Sequence, residues 1–251
     1  MTAIYLIRHG QASFGKADYD QLSDKGMEQS RLLGKSWRAM SKPDKIYSGD
    51  LIRHGQTLEH FLMGYQGEGA SVTLHSGFNE FDHVDLLSCY DPKWKDFTQM
   101  TDLIGKRPDA NKIFQQEFAC ALDRWIGGEK DQDYKETWEQ FKKRCVSALH
   151  DVIKQEITAR KSSNNTLKSM KIDDSINHYA NTICIFTSGG TISAIIQYIL
   201  GLTDEKTLVV SQQTRNTSVT KILSSGSHLS LDYLNNYSHL TSAGSHWITF
   251  R

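Results

Sequence analysis

Two histidines of this chain stand in identical hexapeptides and are the residues best suited to do chemistry. The sequence Leu-Ile-Arg-His-Gly-Gln occurs at positions 6–11 and again at 51–56. A neutral imidazole with one free nitrogen can attack phosphorus. An adjacent guanidinium disfavours the imidazolium form and neutralises phosphoryl oxygens. The repeated motif therefore predicts phosphoryl chemistry at one of the two copies.

The surroundings of the two copies distinguish them. Residues 4–7 form a short apolar run that predicts a buried strand ending at His9, whereas the second copy lies in a predicted helix. The sequence similarity between the two copies does not extend beyond the hexapeptide, which argues against a structural repeat. Successive helical residues point about 100° apart, so Arg53 and His54 need not face the same side. We therefore reject two equivalent nucleophiles and take the first copy as the candidate site; His54 is interpreted as incidental, with a place at the border of the pocket as the alternative.

The order of the motifs along nearly the whole chain resembles that of the histidine phosphatase superfamily, the phosphoglycerate mutase-like proteins. The segments that carry the resemblance are Leu6-Ile7-Arg8-His9-Gly10-Gln11, Leu22-Ser23 with Gly26 and Gln29, residues 48–57, Phe78-Asn79-Glu80, and Thr187-Ser188-Gly189-Gly190. The resemblance implies that His9, Arg8, Arg53 and Glu80 are catalytic.

Glu80 is the predicted general acid, because the leaving oxygen needs a proton and a desolvated carboxyl group can hold one near neutral pH. Asp82, two residues further on, is the competing choice. Gly10 is expected to let the backbone approach the ligand closely. The residues predicted to bind substrate are Arg8, Gly10, Gln11, Ser13, Arg53, Ser188 and Gly189, with shaping of the loop as the alternative role of Gln11 and Ser13.

Two positions depart from the family pattern. Relatives usually carry a second histidine where this chain has Ser188, and they often have an asparagine where Gly15 stands. A serine hydroxyl can donate a hydrogen bond to phosphate but brings no positive charge, so we expect a slower or differently tuned enzyme. A helix cap is the alternative role of Ser188. His83 and His178 are further histidines that could supply what Ser188 lacks.

The apolar pattern predicts strands that alternate with helices. Strands are expected at 4–7, 45–48, 71–75, 182–186, 218–223 and 229–234, and helices at about 24–40, 50–63, 137–157 and 191–200. The expected fold is a three-layer α/β/α sandwich: a mainly parallel six-stranded sheet with one antiparallel edge strand, in a single domain over 1–251 with a helical insertion at about 82–157. Residues 162–177 are predicted to form a mobile surface loop.

Composition excludes several classes of protein. The chain has 29 basic residues (lysine and arginine together) and 29 acidic residues (aspartate and glutamate together). No overall electrostatic field therefore favours binding to nucleic acid or to an anionic membrane. The four cysteines are scattered, which is typical of a protein of the reducing cytosol, and a cytoplasmic location is the expectation. Neither a metal nor a cofactor is expected, since no ligand spacing or nucleotide-binding motif occurs.

Three functions stay open at this point. A phosphatase that forms phosphohistidine on His9 is favoured over a phosphoglycerate mutase-type phosphoryl transfer and over a weakly active or non-catalytic phosphate-binding relative. The expected partner is a phosphorylated small molecule, with a phosphoprotein and a homodimer as further alternatives. Aromatic residues of the insertion either form its small core, which we favour, or set specificity: Trp94, Phe97, Phe114 and Trp125.

Overall fold

A six-stranded sheet forms the centre of the protein. The computed structural model describes residues 1–13, 20–40, 42–67, 70–169, 181–226 and 228–250. The strands are β1 Thr2–Arg8, β2 Lys45–Ser48, β3 Val72–Leu74, β4 Asn181–Thr187, β5 Val219–Ser224 and β6 Leu229–Asn236. Their spatial order is β3-β2-β4-β1-β5-β6.

The strand directions confirm the predicted mainly parallel sheet. β1 pairs in parallel with β4, and β2 pairs in parallel with both β4 and β3. The antiparallel strand is β5, which lies between β1 and the edge strand β6. Arg8 is in register with Thr187, so the carboxyl ends of β1 and β4 bring the two predicted motifs to one edge of the sheet.

Helices cover both faces of this sheet. They are α1 Asp24–Trp37, α2 Ile52–Tyr65, α3 His83–Tyr90, α4 Phe97–Gly105, α5 Ala110–Gly127, α6 Trp138–Ser169, α7 Gly189–Leu200, α8 Asp204–Gln213 and α9 Ser238–Ala243. Alternate residues of β1 separate the two cores: Ile4 and Leu6 pack with residues of α6 and α7, whereas Tyr5 and Ile7 pack with residues of α1 and α2. The three-layer arrangement is therefore confirmed.

The predicted helical insertion forms a lobe with its own aromatic packing. Trp94 and Trp125 are buried, and Trp94 contacts both Phe97 and Phe114 edge-on or tilted. These four aromatic side chains belong to one core together with residues of the sheet. The prediction that they form a core is confirmed, although Phe114 also faces the cavity described below.

The prediction of a surface loop at 162–177 is wrong where it can be compared, because α6 continues to Ser169. The stretch has no proline or glycine to interrupt the helix, so its polar composition alone does not end it. The remainder of that predicted loop lies outside the described residues.

α8 has no counterpart among the predicted elements. In the part of the chain that is described, no helix combines the length and apolar character needed to cross a bilayer.

Candidate active site

His9 lies just past the end of β1, where backbone hydrogen bonds fix its position. Its amide donates to the Thr187 carbonyl at 2.9 Å, and its carbonyl accepts from the Asn216 side chain and the Thr217 amide, each at 3.2 Å. Its Nδ1 lies 2.7 Å from the Gly10 carbonyl oxygen. Because a carbonyl can only accept, Nδ1 carries the proton and Nε2 keeps its lone pair. The ring is thus in the tautomer that a nucleophile needs.

The surroundings of His9 also favour the neutral ring. Burial lowers its pKa well below the usual 6.5, and the nearby charges of Arg53 and Arg8 lower it further. His54 adds to this effect. His9 is therefore uncharged at neutral pH, as attack on phosphorus requires.

Arg8 and Arg53 are both buried and face the same cavity as His9. Arg8 donates to the Thr214 carbonyl. Arg53 donates from its guanidinium to Asp20 Oδ1 at 2.8 Å, and Oδ2 of Asp20 accepts from the Ile52 amide at 2.8 Å. Asp20 thus holds the first turn of α2 and one of the two arginines. Sequence reasoning missed it, since nothing in its local pattern distinguishes it from a surface aspartate.

Glu80 lies against the first turn of α7. Its Oε2 accepts from the Gly190 amide at 3.0 Å, and a Cβ at position 190 would lie 2.2 Å from Oε1. The glycine therefore makes room for the carboxyl group. Burial raises the pKa of Glu80, while the Gly190 amide and the arginines offset part of that rise. The carboxyl group keeps a proton to higher pH than an exposed glutamate does.

Asp82 differs from Glu80 both in position and in the direction of its pKa shift. It caps α3, accepting from the amides of Val84 and Asp85 at 3.0 Å each. Burial alone would raise its pKa, but the Asp85 amide and Lys135 outweigh that effect and lower it. Asp82 is thus an ionised cap outside the lining of the cavity.

A residue from α6 supports the segment that carries Glu80. The Arg144 guanidinium donates to the carbonyls of Ser76, Gly77 and Asn79 at 3.0–3.2 Å. A two-point ion pair with Glu136, at 2.7 and 2.8 Å, holds the guanidinium in place. This support was not predicted, because it joins residues about 65 positions apart.

Ser188 and His54 form a buried pair beside the nucleophile. Nε2 of His54 lies 2.7 Å from Ser188 Oγ, and the His54 ring centroid lies 5.9 Å from that of His9. Ser188 occupies the N-cap position of α7, yet its side chain makes no capping hydrogen bond. The interpretation of His54 as incidental is therefore wrong.

The physical reason is the width of the buried face of α2. Arg53, His54, Thr57, Leu58 and Phe61 are all buried. A helix face packed against a sheet spans 100° or more, so two successive residues both fit on it. Arg53 turns toward the cavity, and His54 turns toward Ser188.

Gly10 and Ser13 lie outside the cavity lining and make packing and backbone contacts. A Cβ at Gly10 would lie 2.4 Å from the Gly26 carbonyl oxygen, so Gly10 lets the loop after β1 pack closely on α1. The Gly10 amide donates to Thr57 Oγ1 at 3.0 Å. Ser13 is buried, and its hydroxyl donates to the Gln21 carbonyl at 3.2 Å. The close approach predicted for Gly10 exists, but its partner is a helix.

The other predicted positions differ in what the structure says of them. Gln11 lines the cavity, and its side chain accepts from the Ser23 hydroxyl at 3.1 Å. His83 also lines the cavity, where burial and Arg53 lower its pKa to about 4, so it brings no positive charge at neutral pH. Gly15 and His178 lie outside the described residues.

One cavity of about 500 Å³ brings the predicted residues together. It is lined, among others, by Arg8, His9, Gln11, Arg53, Glu80 and Gly189. A neutral imidazole, two guanidinium groups and a carboxyl group with a raised pKa thus face one space, and phosphoryl transfer to a histidine uses groups of these kinds. Ser188 lies behind this surface, fully buried.

The family can now be stated. The profile of the histidine phosphatase superfamily (branch 1) matches residues 4–160. The chain belongs to this superfamily. No curated protein matches the chain in a sequence search.

Several solved structures have the same fold and match almost the whole length of this chain. A phosphoserine phosphatase from Entamoeba histolytica, solved with phosphoserine, is 20% identical with a TM-score of 0.57, and the match covers 96% of this chain and 100% of that one. The mycobacterial glucosyl-3-phosphoglycerate phosphatase is 17% identical, covering 94% and 99%, with a TM-score of 0.57. A phosphoglycerate mutase from Bacillus anthracis is 18% identical, covering 95% and 94%, with a TM-score of 0.55. At these identities the likeness establishes the fold.

Proposed function

We propose that this protein is a phosphatase that hydrolyses phosphomonoesters through a phosphohistidine intermediate on His9. The observation that carries the proposal is the state of His9: buried, neutral, protonated on Nδ1 and placed at a cavity with Arg8 and Arg53. A site that only bound phosphate would gain affinity from the arginines and would have no use for a buried glutamate with a raised pKa beside them.

The proposed reaction has two halves. In the first, His9 Nε2 attacks phosphorus, the N–P bond forms, the P–O bond to the leaving group breaks, and the Glu80 proton passes to the leaving oxygen. Arg8 and Arg53 neutralise the charge on the transferring oxygens. In the second, water attacks phosphorus, its proton passes to the Glu80 carboxylate, and the N–P bond breaks. Inorganic phosphate leaves, and both residues return to their starting states.

A panel of phosphomonoesters assayed for released phosphate tests the proposal. Wild-type protein should hydrolyse at least one class of ester, and His9→Ala should lower kcat/KM about 1,000-fold or more, since the nucleophile is lost. His150→Ala is the matched control, because His150 is an exposed histidine on α6. Full activity of His9→Ala would overturn the proposal.

A further inference from the structure

The cavity changes character away from His9. Arg8, Arg53 and Glu80 supply charged groups to the lining near His9, whereas most of the lining from the helical lobe is aromatic and aliphatic. The residues of this wall, which we call the aromatic wall, are Phe81, Phe114, Phe118, Leu122 and Trp138. The rings of Phe114 and Phe118 stack with centroids 5.9 Å apart, and those of Phe81 and Phe118 stack at 6.3 Å.

The indole nitrogen of Trp138 does not make this wall polar. Its Nε1 donates to Asp204 Oδ1 at 2.7 Å, so its polar atom already has a partner. A ligand that reaches the aromatic wall therefore meets ring faces and methyl groups. Contact with such a surface favours apolar groups.

The cationic side chains of the described cavity lining lie near His9. Of the described residues that line the cavity, the lysines and arginines are Arg8 and Arg53, both beside His9. His83 lies in the same lining, but its pKa of about 4 keeps it neutral. A carboxylate on the leaving group would lose water at the aromatic wall without gaining a cation among these residues, which is unfavourable.

The size and the neutral polar groups of the cavity define the leaving group further. About 500 Å³ is far more than a phosphate needs and lies in the range of about 300–1,000 Å³ typical of sites for larger organic ligands. Gln115 and Gln212 also line it, and their amides can bond neutral hydroxyl or amide groups.

We infer that the substrate is a phosphomonoester of an uncharged aromatic or aliphatic alcohol whose apolar part packs on the aromatic wall. The inference rests on the proposed phosphatase function and names the substrate class of that site. It sets this chain apart from the phosphoserine and phosphoglycerate ligands of its structural neighbours, which carry carboxylates.

Three esters of primary alcohols test the inference, so that their leaving groups are alike at the reacting oxygen: 2-phenylethyl phosphate, ethyl phosphate and 3-phosphoglycerate. We expect kcat/KM for 2-phenylethyl phosphate to exceed that for each of the others about tenfold or more, because burial of a phenyl ring contributes at least that much. Equal or higher kcat/KM for 3-phosphoglycerate, abolished in His9→Ala, would overturn the substrate class and leave the proposed function standing.

Two phenylalanine variants of the lobe locate the effect. Phe118→Ala should lower the ratio of kcat/KM for 2-phenylethyl phosphate to that for ethyl phosphate about tenfold. Phe97→Leu is the control: Phe97 packs on Phe114 from outside the cavity lining, and leucine keeps an apolar side chain in that place, so the ratio should stay close to that of the wild type. The ratio does not depend on the fraction of folded enzyme. An unchanged ratio in Phe118→Ala would contradict the inference.

If no ester is hydrolysed, the proposed function is overturned, and a binding measurement then tests the inferred ligand class by itself. Calorimetry on the wild-type protein would then compare 2-phenylethyl phosphate with 3-phosphoglycerate. Tighter binding of the phenylethyl ester would support an apolar ligand for the cavity, and equal or tighter binding of 3-phosphoglycerate would refute it.

Discussion

At the scale of single residues, the site contains two groups whose pKa values are shifted in opposite directions from those usual for their kind. Burial lowers the pKa of His9, and burial raises that of Glu80. The imidazole must be neutral and the carboxyl group protonated for the first half of the reaction. Opposite shifts of the two pKa values therefore widen the pH range in which both conditions hold.

The pH dependence of kcat/KM follows from these directions. Activity is expected to fall at high pH as Glu80 loses its proton, and to fall at low pH as His9 becomes charged. In the Glu80→Gln variant, the decrease of kcat/KM at high pH that comes from deprotonation of Glu80 should be absent. The same substitution should reduce kcat/KM for an alkyl ester about 100-fold or more. Initial rates across pH for wild type and the variant measure this. If kcat/KM of the Glu80→Gln variant decreased at high pH as it does in the wild type, the decrease would come from a group other than Glu80.

The pairing of His54 with Ser188 predicts the effect of placing a histidine at position 188. Both side chains are fully buried, so the space that a histidine at 188 would need is already filled by the His54 ring. Ser188→His should lower the free energy of unfolding by about 1–3 kcal/mol through overpacking. The double variant Ser188→His with His54→Ser, which keeps the total volume, should regain most of it. Urea denaturation tests both, and a stable single variant would contradict the pairing.

Arg8, His9, Arg53 and Glu80 could be predicted from sequence because each lies in a short local motif. The role of His54 could not, because it depends on which face of α2 packs against the sheet edge. Asp20 and Arg144 escaped prediction for a similar reason: their partners are distant along the chain, and only the folded arrangement brings them together.

At the scale of elements, close contacts between helices determine the position of Arg53. α1 and α2 approach each other where a Cβ at Gly34 would lie 2.0 Å from the Phe61 carbonyl oxygen and a Cβ at Gly64 would lie 2.2 Å from the Arg31 carbonyl oxygen. α2 carries Arg53, so the spacing of the two helices determines where its guanidinium lies.

Two glycines of α2 provide a matched pair of substitutions. Gly64→Ala should lower the free energy of unfolding by about 1–3 kcal/mol, because its methyl group would force the helices apart. Gly55→Ala should be neutral or stabilise by up to about 1 kcal/mol, since a Cβ there meets nothing within 4 Å and alanine favours the helix. Thermal or urea unfolding compares them. Similar effects of the two substitutions would refute the close-contact explanation.

The elements themselves were largely predictable. Residues 3–7 of β1 and 183–186 of β4 are uninterrupted hydrophobic runs because both faces of the sheet are covered, which makes these strands easy to detect. The end of α6 was not predictable, since polar residues without proline or glycine are compatible with either a helix or a loop. α8 was missed because its apolar residues follow no clear helical period.

At the scale of the whole molecule, the segment before the C-terminus supports the loop that carries His9. Gln29 of α1 accepts from the Gln11 amide at 2.9 Å and donates to the Trp247 carbonyl and to Thr249 Oγ1, each at 2.7 Å. Thr249 in turn donates to Asn216 at 2.8 Å, and Asn216 contacts the His9 carbonyl. A chain of hydrogen bonds thus links Thr249 to the backbone of His9, 240 positions earlier in the sequence.

Removing this link should affect both stability and catalysis. Thr249→Val deletes the hydroxyl and keeps the shape, and it should lower the free energy of unfolding by about 0.5–1.5 kcal/mol. The kcat should fall with it, because Asn216 loses a partner that orients it toward His9. Thr241→Val on the exposed side of α9 is the control and should change neither quantity. Unchanged kcat in Thr249→Val would show that the link has no part in positioning His9.

The most direct test of the account is to find where the phosphoryl group attaches. Rapid quench of the wild-type protein with a hydrolysed ester, followed by peptide mapping under alkaline conditions, separates the two hexapeptide copies by their flanking residues. The account predicts acid-labile phosphate on His9 and none on His54. Phosphate on His54, or a reaction that proceeds at the full rate with no phosphohistidine formed, would contradict it.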